Sequence, residues 1–124
     1  MINTSQLQIG SWVRQIRNKG MGQTMNSEFQ IRETNTLSNI IDDPEFYEGI
    51  PLTTDWLERA GYKNIGSGLW DNGSEYDIDF YENGSQLRLA SSDDYVSFGP
   101  VFTYLHELQL LMAGLGRPIT FDGK

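Results

Sequence analysis

The sequence predicts an α+β fold in which an antiparallel β-meander packs on a C-terminal helix and a small N-terminal β unit precedes the meander. Asn-Gly pairs occur twice, at Asn72-Gly73 and Asn83-Gly84. Asn-Gly suits a two-residue hairpin because both central residues of a type I′ turn need positive φ. Apolar residues alternate around both turns, and a helically spaced apolar run follows Pro100. The 124 residues fit a single α+β domain over positions 1–124.

Composition narrows the classes of function. The chain is 38% hydrophobic and 12% aromatic, which argues for a packed core rather than disorder. It has no cysteine, which excludes disulfides, thiolate catalysis and cysteine-ligated metals. A net charge of −8 makes duplex nucleic acid a poor partner, because phosphate binding needs a basic patch.

The opening Met-Ile-Asn-Thr-Ser-Gln has neither a basic start nor an apolar run. No stretch of the chain approaches the roughly 20 apolar residues that a membrane span needs. We therefore expect a cytoplasmic protein without a membrane partner.

The N-terminal β unit is predicted from three segments. Residues 6–17 suggest a strand interrupted by a turn at Gly10, and residues 18–22 form a turn or loop. Residues 29–32 alternate between apolar and polar side chains and suggest the returning strand.

The segment between this unit and the meander carries weaker signals. We expect residues 33–39 to be irregular and Ile40-Ile41 to form a short strand. Residues 46–50 are predicted to be an extended connector, because a glycine and a following proline interrupt them. Residues 53–60 predict a short helix capped by Thr53, with Trp56, Leu57 and Ala60 on its buried face.

The two Asn-Gly turns define a register for the meander. Around the second turn, Phe80 faces Leu87 and Asp79 faces Arg88; around the first, Trp70 faces Glu75. The predicted core face consists of Leu69, Tyr76, Ile78, Phe80, Leu87 and Leu89. The opposite, polar face carries Trp70, Glu75, Asp77, Asp79, Tyr81, Gln86 and Arg88.

The C-terminal part of the meander completes the predicted fold. A fourth strand is expected from Tyr95, Val96 and Phe98. A helix is then predicted to begin near Pro100 and to end near Ala113. The apolar face of this helix would consist of Val101, Tyr104, Leu105, Leu108, Leu111 and Met112.

Catalytic and metal motifs are weak. His106-Glu107 begins like a zinc metalloprotease motif, but Leu110 stands where the second histidine is needed. The chain's single histidine could act as a general base, although a structural hydrogen bond at the helix surface or edge explains it more simply. Carboxylates gather near one hairpin at Glu75, Asp77, Asp79 and Glu82. A cross-strand Asp79–Arg88 ion pair is the simpler interpretation there, so we predict no catalytic residue, metal or cofactor.

Two groups of residues are candidates for binding a ligand. Trp70 and Tyr81 beside Arg88 could stack on a base or bind a partner, unless the N-terminal strands or a second protomer cover that face. Basic residues gather near the N-terminus at Arg14, Arg17 and Lys19. The loop that begins at Lys19 has small residues that could expose backbone N–H groups to phosphate, but it lacks the P-loop spacing. A mobile hairpin loop is the alternative.

Three phrases occur in an order that resembles a known family. They are Leu7-Gln8-Ile9-Gly10-Ser11-Trp12-Val13, then Ile50-Pro51-Leu52-Thr53-Thr54-Asp55-Trp56-Leu57 with Ala60-Gly61-Tyr62-Lys63, and Tyr104-Leu105-His106-Glu107-Leu108-Gln109 with Leu111 and Ala113-Gly114. The chain resembles small uncharacterised proteins of phages and prophages in gut Bacteroides-type bacteria. Gln8, Ser11 and Leu110 depart from that family's usual Arg, Asn and Asn. The resemblance transfers no catalytic residue. It implies a phage context, and thus the host cell cytosol.

Many small phage proteins block host defence, some of them by sequestering nucleotide signals. By this analogy we predict a non-enzymatic protein that binds a small anionic ligand, such as a nucleotide immune signal. The candidate ligand-binding residues are Trp70, Tyr81, Arg88, Arg14, Arg17 and Lys19. The alternative is a protein–protein interaction module that inhibits or adapts a host or phage protein, and a carboxylate-based hydrolase is the weaker third interpretation.

Overall fold

Two antiparallel sheets and a C-terminal helix form the framework of the computed structural model, which describes residues 2–17, 24–66, 68–73, 75–81, 84–89, 97–119 and 121. The predicted α+β class is therefore confirmed. The strands are β1 (Trp12–Arg17), β2 (Thr24–Gln30), β3 (Tyr47–Gly49), β4 (Lys63–Gly66), β5 (Leu69–Asp71), β6 (Tyr76–Asp79), β7 (Ser85–Leu89) and β8 (Ser97–Phe102). The helices are α1 (Thr34–Asp42), α2 (Thr54–Arg59) and α3 (Leu105–Gly114), with 3-10 turns at Thr4–Gln6 and Pro44–Phe46. None of the helices in these ranges is long and apolar enough to cross a membrane.

The N-terminal sheet has the order β2-β1-β3, and both pairings are antiparallel. The predicted pairing of the first strand with a returning strand is confirmed, since Val13 lies opposite Phe29. The prediction of an extended connector was wrong in part, because residues 47–49 add a third strand that pairs with β1. The residues of the intervening loop, 18–23, lie outside the described part of the chain.

Helix α1 corrects the prediction of an irregular segment and a short strand at Ile40-Ile41. Leu37 and Ile40 are three positions apart, so they share one face of the helix. That face packs on the smaller core, where Ile40 is fully buried beside Val13 and Tyr47. Ile41 points away and is 50% exposed. Tertiary packing therefore stabilises a helix whose polar sequence predicts none.

Helix α2 confirms the predicted capped helix. Thr53 is its N-cap, and its hydroxyl accepts a hydrogen bond from the backbone N–H of Trp56 at 3.4 Å. Trp56 and Leu57 are buried in the larger core.

The predicted register between β5 and β6 was wrong. Trp70 lies opposite Ile78 rather than Glu75, a shift of three residues. An odd shift exchanges the two faces of a strand, so Trp70 joins the core and is 6% exposed. The cause lies in the connection, where the Asp71 carboxylate accepts a hydrogen bond from the N–H of Gly73 at 2.9 Å. This side-chain turn occupies the positions that a two-residue hairpin would have used.

The register between β6 and β7 also differs from the prediction, but by two residues. Ile78 lies opposite Leu87, and Arg88 lies opposite Asp77 rather than Asp79. An even shift keeps the faces, so Ile78 and Leu87 lie in the core as predicted, whereas Leu89 is 44% exposed. In the connection between β6 and β7, the hydroxyl of Ser85 accepts a hydrogen bond from the backbone N–H of Tyr81. Asn83, which was predicted to form the turn, lies outside the described residues.

The last helix begins five residues later than predicted. Pro100 lies inside β8, which is an edge strand of the order β4-β5-β6-β7-β8, and an edge tolerates proline. Of the residues predicted for the fourth strand, Phe98 lies in β8, and Tyr95 and Val96 lie outside the described part. The Glu107 carboxylate accepts from the backbone N–H groups of Tyr104 at 2.9 Å and Thr103 at 3.0 Å, which fixes the start of α3.

The α3 face that packs on the core is only partly the predicted one. Leu105, Leu108 and Met112 are fully buried, as expected. Val101 and Tyr104, which precede the helix, are 61% and 41% exposed. The apolar face is therefore narrower than the sequence pattern predicts, and two large side chains remain at the surface.

A buried glutamine joins α3 to the N-terminal segment. The side-chain oxygen of Gln109 accepts from the backbone N–H of Trp12 at 2.8 Å, and its amide nitrogen donates to the carbonyl of Gly10 at 2.7 Å. Gln109 is 8% exposed, so its amide takes the place of water for the backbone N–H of Trp12 and for the Gly10 carbonyl, which also accepts from the side chain of Gln30 at 3.1 Å.

Candidate binding surface

The predicted ligand-binding residues lie on separate parts of the molecule. Trp70 was expected on the polar face, but it belongs to the hydrophobic core. Tyr81 is 60% exposed in the connection between β6 and β7, and Arg88 lies opposite Asp77 across these two strands. Arg14 and Arg17 belong to the other sheet. Lys19 lies outside the described residues.

Arg14 is held by carboxylates. Its guanidinium donates to Glu48 at 2.9 Å and to Glu28 at 3.1 Å, one residue on each neighbouring strand. An anion at this site would have to compete with two side chains already paired to the same cation.

The carboxylates predicted near the hairpin are also dispersed. Glu75 forms an ion pair with Arg117, and Asp79 lies opposite Gln86 instead of Arg88. Glu82 is not among the described residues. Within the described ranges, no group of three or more His, Cys, Asp or Glu side chains is arranged to hold a metal ion.

A pocket of about 350 Å³ lies where the first 3-10 turn, β3 and the start of α3 meet. Its lining residues are Ile2, Asn3, Gln6, Glu48, Gly49, Pro51, Tyr104, His106 and Glu107. Two of these side chains are acidic, and the described residues that line the pocket include no lysine or arginine. The pocket therefore favours a cationic group over an anionic one.

Gly49 allows the two elements to approach closely. A Cβ atom at this position would lie 2.8 Å from Cε1 of His106 and 2.8 Å from Cδ1 of Tyr104, closer than side chains tolerate. The two rings stack on one another with a centroid distance of 5.8 Å and an interplanar angle of 14°. The missing side chain of Gly49 thus makes room for this ring pair at the pocket wall.

A hydrogen-bond chain sets the protonation of His106. The amide nitrogen of Gln6 donates to the Glu107 carboxylate at 3.2 Å, which leaves the amide oxygen of Gln6 at 3.3 Å from Nε2 of His106. An amide oxygen only accepts, so this network assigns the ring proton to Nε2. Burial lowers the pKa of His106 from its ordinary value, partly offset by the nearby Glu107. The imidazole is therefore neutral near pH 7, and its buried Nδ1 is an acceptor without a partner among the described residues.

A second, smaller pocket of about 120 Å³ adjoins the first. It shares Gln6 and Glu107 with the larger pocket, and its remaining lining residues are Pro100, Val101, Phe102, Leu110 and Leu111. Val101 is 61% and Leu110 38% exposed. We call the residues that line the two pockets the Glu107 surface. It combines an acidic depression with an apolar one.

A buried carboxyl pair lies elsewhere, on the five-stranded sheet. Burial and a hydrogen bond to Asp71 raise the pKa of Asp77 to about 6, against a smaller opposing effect of Arg88. Burial, followed by the charges of Asp77 and Asp71, raises the pKa of the Tyr62 hydroxyl. Among the described residues, neither Oδ1 of Asp77 nor the Tyr62 hydroxyl has a hydrogen-bond partner. Asp77 therefore keeps its proton to a higher pH than an ordinary aspartate does.

The sequence pattern missed most of the Glu107 surface. For His106 the preferred prediction was a structural hydrogen bond at the helix surface or edge; the ring does pair with Gln6, but it is 1% exposed, and Glu107 caps the helix. Glu107 is the acidic half of a capping box, but Tyr104 is not a residue type that marks an N-cap in a sequence, so the local signal for the helix start was incomplete. Gln6 and Gly49 carried no local signal, because their partners are distant in sequence. Comparison with protein-family models, curated proteins and solved structures finds no match for this chain.

Proposed function

We propose that this protein is a non-enzymatic protein–protein interaction module and that the Glu107 surface binds a segment of a partner protein. One observation carries the proposal: exposed apolar side chains border two adjoining pockets. Val101, Tyr104 and Leu110 are 61%, 41% and 38% exposed. Large apolar and aromatic side chains beside concave, partly polar surface are typical of protein-binding sites.

The resemblance to phage proteins gives this proposal a context. In that context the partner is a host or phage protein, and binding inhibits or adapts it. The acidic charge of the chain, −8 overall, favours a partner with a basic surface and accelerates encounter with it.

The other predicted function, binding of a small anionic ligand, makes a different demand on the molecule. It needs cations that converge on a cavity, whereas Arg14 already pairs with Glu28 and Glu48. A thermal-shift screen of cyclic and linear nucleotides tests it directly. A nucleotide present at a hundredfold excess over its dissociation constant should stabilise the fold by about 3 kcal/mol. We expect no such stabilisation.

A peptide-display selection on the full-length protein tests the interaction module. We expect the wild type to enrich peptides that a Val101→Asp/Leu110→Asp variant does not retain, because two buried charges would break the apolar contact. Ile65→Asp is the matched control, since Ile65 is 56% exposed on β4 at the opposite edge of the sheet. Peptides that bind all three proteins equally, or no enriched peptide at all, would refute the proposal.

A further inference from the structure

We infer that the larger pocket of the Glu107 surface receives an arginine side chain of the partner, with its guanidinium between the carboxylates and the ring of Tyr104. This inference rests on the proposed interaction function and specifies the chemistry of its partner. It names the one residue type that the pocket would select.

Charge is the first argument. Glu48 and Glu107 both line the pocket, and no lysine or arginine is found among the lining residues that the structure describes. Arg14 neutralises only part of the acidic charge, because it is shared between Glu48 and Glu28. His106 adds no positive charge while it is neutral. An entering cation therefore meets net negative charge in a partly enclosed site, where the attraction is stronger than in open water.

Shape and hydrogen bonding favour arginine over lysine. A guanidinium is planar, stacks on aromatic rings and donates several hydrogen bonds in one plane. Tyr104 is 41% exposed, and its ring stacks on His106 on one side. Glu48 uses one carboxylate oxygen for Arg14, and its side chain is 41% exposed. The pocket thus offers a ring and a partly free carboxylate to the same planar group.

The protein already uses this mode of contact at another position. The guanidinium of Arg59 lies 4.0 Å from the ring centroid of Trp56 and 5.6 Å from that of Trp12. Arginine stacked on an aromatic ring is therefore part of the chain's own packing. The pocket beside Tyr104 has the ring but, within the described part of the chain, no arginine in its lining.

The test uses peptides selected by display on the full-length protein, resynthesised with each arginine replaced by citrulline. Citrulline keeps the shape of arginine but removes its charge. We expect the substitution to weaken binding about tenfold or more, as the loss of a charge-assisted hydrogen bond does. Glu48→Gln should weaken the arginine peptide to a similar degree and leave the citrulline peptide unaffected.

Glu28→Gln is the matched control for Glu48→Gln. Both carboxylates bind Arg14, but only Glu48 lines the pocket. Binding that Val101→Asp/Leu110→Asp abolishes, but that neither citrulline nor Glu48→Gln affects, would overturn the arginine inference and leave the interaction module intact. A selection that yields no peptide dependent on the Glu107 surface would overturn both. Equal effects of the two Glu→Gln variants would assign the loss to Arg14 and also overturn the inference.

Discussion

The carboxyl pair on the five-stranded sheet predicts an unusual dependence of stability on pH. Asp77 is 5% exposed, and its carboxyl shares a hydrogen bond with Asp71 on the neighbouring strand. The substitution Asp77→Asn keeps the size of the side chain and its ability to donate to Asp71. It removes the buried negative charge that the Asp77 carboxyl carries in the folded wild type at pH values above its pKa.

The magnitude follows from the pKa of Asp77 in the folded protein, about 6, against an ordinary value of 3.8. Between these values the folded protein retains a proton that the unfolded chain has released, so the free energy of unfolding falls as pH rises from about 4 to about 6. At about 1.4 kcal/mol per pKa unit, the loss is about 3 kcal/mol, and it stays constant at higher pH. The side chain of Asp77→Asn does not titrate in this range, so the free energy of unfolding of the variant should not fall in this way. The variant should therefore gain up to about 3 kcal/mol relative to the wild type between pH 4 and pH 7.

Urea unfolding monitored by tryptophan fluorescence measures this difference, since the chain contains 3 tryptophans. Both proteins should be unfolded at several pH values from 4 to 8. Asp79→Asn is the control, because it removes one charge from the same face of β6 without touching the Asp71–Asp77 contact. A free-energy difference between Asp77→Asn and wild type that is independent of pH would refute the reasoning.

Three further predictions use the same unfolding assay. Gly49→Ala should lower the free energy of unfolding by about 1–3 kcal/mol, because the added Cβ would overlap the rings of Tyr104 and His106. An unchanged free energy of unfolding would contradict the close approach of β3 and α3 at this position. Trp70 is buried and Tyr81 is exposed, so Trp70→Ala should lower the free energy of unfolding by about 3–5 kcal/mol and Tyr81→Ala by less than about 0.5 kcal/mol. Equal losses would contradict the observed register. Burial lowers the pKa of His106, so the contribution of this residue to stability is lost as pH falls below the ordinary histidine value of 6.5. From pH 7 to pH 5 the free energy of unfolding of the wild type should therefore fall relative to that of His106→Gln. A difference between the two proteins that does not change with pH would contradict a buried neutral ring.

Local signals in the sequence predicted several elements correctly. The N-cap of Thr53 and the apolar residues after it located α2, because a cap and a helical face are both contained in a few residues. The α+β class and the pairing of the first two strands also followed from local alternation. Helix α1 did not, because Leu37 and Ile40 stabilise it through contacts with the N-terminal core rather than through their own propensity.

The register depended on a local side-chain turn that apolar alternation does not reveal, and the site depended on contacts between residues far apart in the sequence. Asp71 replaced a hairpin turn with a side-chain turn, and the resulting odd shift moved Trp70 from the predicted polar face into the core. Gln6 donates to Glu107 and accepts from His106, and these hydrogen bonds join residues about a hundred positions apart. Sequence motifs and periodic patterns relate residues within a few tens of positions, so the Glu107 surface could be found only from the three-dimensional structure.

The amide of Gln109 has a consequence for the order in which the protein folds. It bonds the backbone of Gly10 and Trp12 across 99 and 97 positions of sequence, so the two ends of the chain share one contact. Contacts of this separation form late, because the intervening loop must first be closed. During synthesis, the start of β1 therefore docks on α3 only after nearly the whole chain has left the ribosome. We expect the nascent chain to become resistant to protease around Gly10 and Trp12 only once α3 has emerged.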